Sequence, residues 1–354
     1  MTDREIIARA RRASIPGLGA IVGISTAILV VAALYLAEPV FAPLAFALFV
    51  IAMVWPLQAR LQARLPKLVA LAISMLATVV VIGAFAWVIS WAFSRVVYYV
   101  IADAARFQAL YNQWAEWLED HGIEVAGIWA EHFNVRWALG IAQQFTSRIN
   151  GALSFSVIVL IYVILGLLEI DTVSRKLRAT KRGAAGPLLV DGAAISGRKL
   201  RRYMLVRTVM SVVTGVLVWL FVLLCGLPLA AEWGVIAFVL NYIPFIGPFI
   251  ATILPTVFAV AQFAAWENAL LVFAALNLIQ FLVGSYLEPL IAGKVLSMSP
   301  FLVLFAVFFW TFLWGISGAF IGIPIVIAIL TLCEQHPSSR WVAEVCGAPA
   351  DEQA

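Results

Sequence analysis

Apolar residues in this chain run in long continuous stretches, not in the alternation of a half-buried strand or the stripe of a soluble helix. Such stretches cover residues 18–36, 40–56, 68–93, 151–169, 204–226, 234–263, 268–286 and 300–332. A helix of about 20 residues spans a hydrocarbon core of about 30 Å, so each stretch is expected to lie in a bilayer. The predicted fold class is all-α, a polytopic membrane protein built on these hydrophobic segments. Ala37-Glu38-Pro39 joins the first two into a tight helical hairpin.

Lys and Arg positions orient the predicted bundle. The N-terminal tail carries Arg4, Arg9, Arg11 and Arg12, and the 57–67 loop carries Arg60, Arg64 and Lys67. The 171–203 stretch carries Arg175, Lys176, Arg178, Lys181, Arg182, Arg198, Lys199, Arg201 and Arg202. Residues 94–150 lean acidic, with Asp103, Glu116, Glu119, Asp120, Glu124 and Glu131. Basic loops stay in the cytoplasm, which places the N-terminus there and 94–150 outside. In that outer segment Val97, Ile101, Ala104, Phe107, Tyr111, Trp114 and Leu118 recur at helical spacing. After His121-Gly122, Ile128, Phe133, Trp137, Ile141 and Phe145 predict a helix returning to the membrane. Trp87, Trp91, Tyr98 and Tyr99 form an aromatic belt at headgroup level. This external amphipathic hairpin either rests on the membrane and its own bundle or serves as a subunit contact. The expected organisation is membrane helices over 1–93, the external segment over 94–150, and a fourth span with its basic cytoplasmic loop over 151–203. A C-terminal membrane region follows over 204–335, then a cytoplasmic tail over 336–354.

Composition agrees. Of 354 residues, 64% are hydrophobic and 12% charged, with a mean hydropathy of +1.02, whereas a soluble domain is about half apolar and a quarter charged. Cys225, Cys333 and Cys346 have neither disulfide nor zinc spacing. The basic N-terminus before an apolar run is signal-peptide-like, but the run is long and leads into further membrane sequence, so it reads as an uncleaved first span. The net charge of +4 is distributed as loop charge beside lipid headgroups, and no nucleic-acid partner is expected. His121, His132 and His336 form no HExxH motif, and no phosphate-binding loop is present, so neither an enzyme nor an ATP-driven pump is expected. No cofactor is implied. Gly17, Gly19 and Gly23 read as a close-packing surface.

Two segments in the second half are broken. Asn241-Tyr242-Ile243-Pro244-Phe245-Ile246-Gly247-Pro248 and Pro255 interrupt 234–263, which would be about 45 Å long as one straight helix. Gly315, Gly318, Gly322 and Pro324 interrupt 300–332. Backbone freed by proline and glycine survives in hydrocarbon only when buried in protein or lining a wet cavity, and paired interruptions mark the binding region of a transporter. Gly247-Pro248-Phe249-Ile250 and Gly318-Ala319-Phe320-Ile321 echo each other. Each segment is either a kinked span or a re-entrant hairpin. Between them Asn277 and Gln280 share a helix face, serving either interhelical hydrogen bonds or a solute. Glu288, before Pro289, pairs or faces water at depth, or sits at the interface. Lys294 is a possible partner for it. The candidate pathway residues are therefore Asn241, Pro244, Gly247, Pro248, Asn277, Gln280, Glu288, Gly318 and Pro324.

Leu240-Asn241-Tyr242-Ile243-Pro244-Phe245-Ile246-Gly247, then Leu287-Glu288-Pro289 with Gly293, then Trp314-Gly315…Gly318…Ile323-Pro324 resemble the autoinducer-2 exporter family. Tyr203…Arg207-Thr208…Ser211…Thr214-Gly215 resembles that family's entry into its fifth helix, with Arg207 where Lys is more usual. The resemblance implies a bacterial inner-membrane secondary transporter that forms homo-oligomers and moves a small polar solute. It offers quorum-signal export or sodium/proton antiport as activities, with a proton or sodium ion as coupling partner. Many relatives carry Gln, Glu and Asn before the Glu-Pro pair. Here Gln280-Phe281-Leu282-Val283-Gly284-Ser285 has Val283 at the Glu position, which argues against ion coupling through that carboxylate and is closer to the quorum-signal branch. A membrane scaffold using 94–150 is the alternative from another class.

Overall fold

The computed structural model describes residues 18–120, 135–179, 185–263, 266–292 and 298–347. The described chain is helical, apart from turns and one isolated bridge between Met298 and Gly347. In chain order the helices are α1 (Leu18–Leu36), α2 (Glu38–Gln62), α3 (Lys67–Ala102), α4 (Ala104–Asp120), α5 (Val135–Ala179) and α6 (Ala185–Leu224). Then come α7 (Ala230–Leu240), α8 (Ile246–Phe263), α9 (Trp266–Phe281), a π turn (Leu282–Leu287), α10 (Glu288–Ala292), α11 (Pro300–Gln335) and α12 (Arg340–Cys346). Among the described residues, seven helices are long and apolar enough to cross a bilayer, with 17–50% of each apolar window buried inside the molecule. Most of that apolar surface therefore faces outward, where lipid must cover it. Leu29, Leu224 and Phe312 are 69%, 85% and 72% exposed. The chain is an all-α polytopic membrane protein.

Helices run further than the apolar stretches. Continuous hydrogen bonding carries α3 to Ala102 and joins the expected outer returning helix to the 151–169 span as one α5. The basic stretch expected as a loop over 171–203 is mostly helical, because α5 continues to Ala179 and α6 begins at Ala185. Charge alone does not break a helix, and Pro187 falls in the first turn of α6, where amides lack helical partners anyway. Arg178 pairs with Asp191 at 2.8 Å across the junction, and Lys67 with Asp171 at 3.7 Å. The expectations for Arg4, Arg9, Arg11, Arg12, Ile128, Phe133, Lys181, Arg182, Gly293 and Lys294 lie outside the described residues.

Both broken segments fold back on themselves. The rings of Trp233 (α7) and Phe258 (α8) are 5.4 Å apart, although one straight helix would hold them about 37 Å apart. The turn at 241–245 is closed by bonds from the Ile246 amide to Pro244 O (2.7 Å) and the Gly247 amide to Ile243 O (2.9 Å). It puts Phe245 at φ +64°, a left-handed conformation costing an L-residue about 1–2 kcal/mol. Helix α11 breaks at Trp314 (φ −132°, ψ 22°) and Gly315 (φ +57°, ψ −139°). Its arms return antiparallel, so that a Cβ placed on Gly322 would stand 3.1 Å from Ala306 O. The φ of Gly315 is one that a side chain rarely permits. Trp314 Nε1 donates to Leu34 O at 3.0 Å and ties this tip to α1.

The hairpins enter from opposite ends of the bundle. The base of the α7–α8 hairpin lies by the end of α3, where Arg95 meets Glu232 at 2.9 Å and Arg106 donates to Gln262 O. The base of the α11 hairpin lies by the first half of α6, where Lys199 meets Glu334 at 2.7 Å. Their tips meet in the bundle: Tyr242 and Phe320 rings are 6.0 Å apart. Ile243 and Ile246 pack on Leu200, Tyr203, Val307, Ile323 and Ile327.

Candidate functional site

Helix α6 lies against the turn of the α7–α8 hairpin and supplies a polar face inside an apolar bundle. Arg207, Ser211 and Thr214 follow at spacings of four and three, one face of a helix. The side chains of all three are buried. Asn241, at the end of α7, donates from Nδ2 to Ser211 Oγ at 3.3 Å. The Tyr242 hydroxyl donates to Thr208 Oγ1 at 3.0 Å. The hairpin tip is thus held to α6 by two polar contacts at adjacent residues.

One turn away along α6 is an ion pair. Arg207 Nη1 donates to both oxygens of Glu288, each at 2.9 Å, with the two side chains 7% and 21% exposed. Guanidinium does not lose its proton in proteins, so it secures a carboxylate here without needing water. Glu288 opens α10 directly after the π turn, and its amide reaches back to Val283 O. Tyr203, one turn before Arg207 and 3% exposed, feels both charges. Arg207 Nε and Thr214 Oγ1 are buried without a hydrogen-bond partner among the described residues. The site therefore holds a fixed cation, a carboxylate, two hydroxyl–amide or hydroxyl–hydroxyl contacts and unused polar capacity, within reach of backbone freed at the tip.

The predicted residues divide. Asn241 and Glu288 come to α6, and Pro244, buried, and Pro248, half-buried, shape the adjoining tip. Gly247 and Gly318 occupy equivalent places just after the two tips. A Cβ on Gly247 would strike Leu240 O, and one on Gly318 would strike Trp310 O. Pro324 is buried in the second arm of α11. Asn277 is exposed and donates to Phe273 O of its own helix at 2.8 Å, away from the site. Gln280 is half-buried near the end of α9. Sequence reasoning placed Arg207, Thr208, Ser211 and Thr214 only in a resemblance, although their helical spacing inside an apolar run was a readable signal. It missed Glu232, 4% exposed in the first turn of α7, because an acid just ahead of an apolar stretch reads as interfacial.

The chain is similar to proteins named for transport. The chain is 27% identical over 336 residues to the AI-2 transport protein TqsA of Escherichia coli (strain K12), covering 92% of this chain and 95% of that one. It is 24% identical over 346 residues to a provisionally named transport protein of Haemophilus influenzae, covering 92% and 95%. A similarly named protein of Borreliella burgdorferi matches at 31% over 189 residues, 53% of this chain and 52% of that one. The AI-2E family transporter model matches residues 24–338, which take in both hairpins and the Arg207–Glu288 pair, and the chain belongs to that family of bacterial membrane transporters.

Proposed function

We propose that this transporter is a secondary exporter of a small polar solute of the autoinducer-2 kind, and that its solute site lies where the 241–248 tip meets α6. The observation that carries the reading is the buried Arg207–Glu288 pair beside the Ser211–Asn241 and Thr208–Tyr242 contacts. A hydroxyl-rich solute needs donors and acceptors in a place that otherwise excludes water. Charges at depth in membrane proteins mark solute or proton pathways. The substrate class is supported by the resemblance to TqsA, named as an AI-2 transport protein. In this reading Asn241, with Gln280 near the end of α9, faces the solute during the cycle, Asn277 serves its own helix, and Gly318 and Pro324 let the second hairpin move against the first. Glu288 accepts the coupling proton, with sodium as the competing ion. The basic end, with Arg60, Arg64, Arg198 and Arg202 exposed, faces the cytoplasm of the inner membrane, as does the N-terminus. The 94–150 segment faces outward and supplies the contact between subunits of a homo-oligomer.

Everted vesicles containing the wild type should accumulate autoinducer-2, and Asn241→Ala and Arg207→Gln should lower the initial rate by about tenfold or more at equal folded protein. Unchanged rates in both variants would remove the site from this region. Acid-pulse dequenching by added sodium, abolished in Glu288→Gln, would move the assignment to sodium/proton antiport. Loss of function on truncating 94–150 with no effect from either point variant would favour a scaffold.

A further inference from the structure

The direction in which Glu288 points depends on one turn of chain. Between α9 and α10 the backbone adopts π geometry over Leu282–Leu287, and the Glu288 amide bonds five residues back to Val283 O. A π turn is one residue longer than the α turn it replaces, so it resets the rotation of everything after it. Relaxation to α register would carry the Glu288 side chain about 100° around the helix and bring Leu287 to the Arg207 side.

Two side chains of the turn carry the packing that opposes that relaxation. Val283 is buried, 2% exposed, against Val206 and Met210 of α6, and Leu287 is half-buried on the same cluster. Leu282, Gly284, Ser285 and Tyr286 are exposed, and a Cβ added at Gly284 would meet nothing within 4 Å. The element that must follow is the five-residue α10, whose Leu290 is 74% exposed. Pro289 has no amide, so it gives up no hydrogen bond in either register. The polar contact that resists is the pair itself, both Glu288 oxygens on Arg207 Nη1 at 2.9 Å. Of the groups on α6, Arg207 bonds Glu288 directly and Tyr203 lies within electrostatic reach of both.

We propose that the 282–287 turn is a register switch for the transport site, an inference that rests on the transport reading above. Ionised Glu288 on Arg207 holds the π register. A proton arriving from solvent on the carboxylate, or a solute oxygen taking its place on Arg207, frees Glu288. The turn then relaxes to α, Leu287 moves beside Arg207, and α10 rotates with it.

Deleting Ser285 removes the extra residue and leaves a plain α-helix in which Glu288 keeps its place on Arg207. The deleted chain is expected to fold with a thermal midpoint no lower than wild type and to transport autoinducer-2 about tenfold more slowly or worse. Wild-type transport by that chain would overturn the switch. Hydrogen exchange on the full-length protein supplies an arm independent of transport and of the deletion's folding. Amides of 282–288 should exchange about tenfold faster in Glu288→Gln than in wild type, with the middle of α6 unchanged. Equal exchange in 282–288 would overturn the switch even if transport is confirmed. Faster exchange in a protein that moves no solute would instead overturn the transport reading alone.

Discussion

Arg207 and Glu288 each sit where an isolated charge would be strongly disfavoured, so each is tolerated through the other. Arg207→Met should leave the carboxylate unpaired and cost about 3 kcal/mol, read as a drop in unfolding free energy in detergent micelles. The double change Arg207→Met with Glu288→Leu should recover most of that loss yet remain inactive in the vesicle assay. Recovery of both stability and transport would mean that the pair serves only the fold. At the other extreme of tolerance, Gly284→Ala enters open space and should change stability by less than about 0.5 kcal/mol. Gly247→Ala and Gly318→Ala drive a methyl group into a carbonyl of the opposite arm, and each should cost about 2 kcal/mol or more in the same measurement.

Two helical hairpins, each closed by a small set of backbone features, define the second half of the chain. Gly315, at φ +57° and ψ −139°, turns α11 around. An alanine there should cost about 1–3 kcal/mol, seen as a lowered thermal midpoint together with faster proteolysis near the tip. The 241–245 turn is built differently. Pro244 ends the helix ahead of it, and Phe245 accepts a left-handed φ of +64°. Phe245→Gly should therefore be tolerated and should raise stability slightly, by about 1 kcal/mol, since the side chain is 51% exposed and contributes little packing. The echo between Gly247-Pro248-Phe249-Ile250 and Gly318-Ala319-Phe320-Ile321 acquires a physical meaning in these elements. Each begins with the glycine that must pass the carbonyl of the facing arm.

At the scale of the molecule, Arg60, Arg64, Lys67, Arg198 and Arg202 are exposed at the end shared by the α2–α3 turn and the start of α6, whereas the opposite end carries Glu38, Asp103, Glu232 and Glu267 beside Arg95 and Arg106. The bundle is thereby polarised across the bilayer. With the native cysteines replaced, Arg106→Cys should react with a membrane-impermeant maleimide in intact cells, and Arg64→Cys only after permeabilisation. The reverse pattern would invert the orientation proposed above. The ion pairs Arg95–Glu232 at one end and Lys199–Glu334 at the other fasten the two hairpin bases to α3 and α6. The tips meet between these bases, where Tyr242 lies against Phe320.

Membrane class, helical content and the location of most spans were legible from the chain alone, because hydrocarbon forces long apolar runs into helices whatever their neighbours are. The two broken segments were legible for a similar reason: proline and glycine act on their own backbone. Whether those segments kink or fold back could not be read locally, since one helix break permits both outcomes and packing against α6, α3 and α1 selects between them. The site shows the same division. Glu288 stood out by its own cost in a membrane, but its partner lies on another helix, and only the fold brings Arg207 to it. Asn277 and Gln280 share a face, yet the rotation of α9 turns Asn277 outward to bond its own helix. Rotation and pairing are properties of contacts between helices, and those were decided by the tertiary structure.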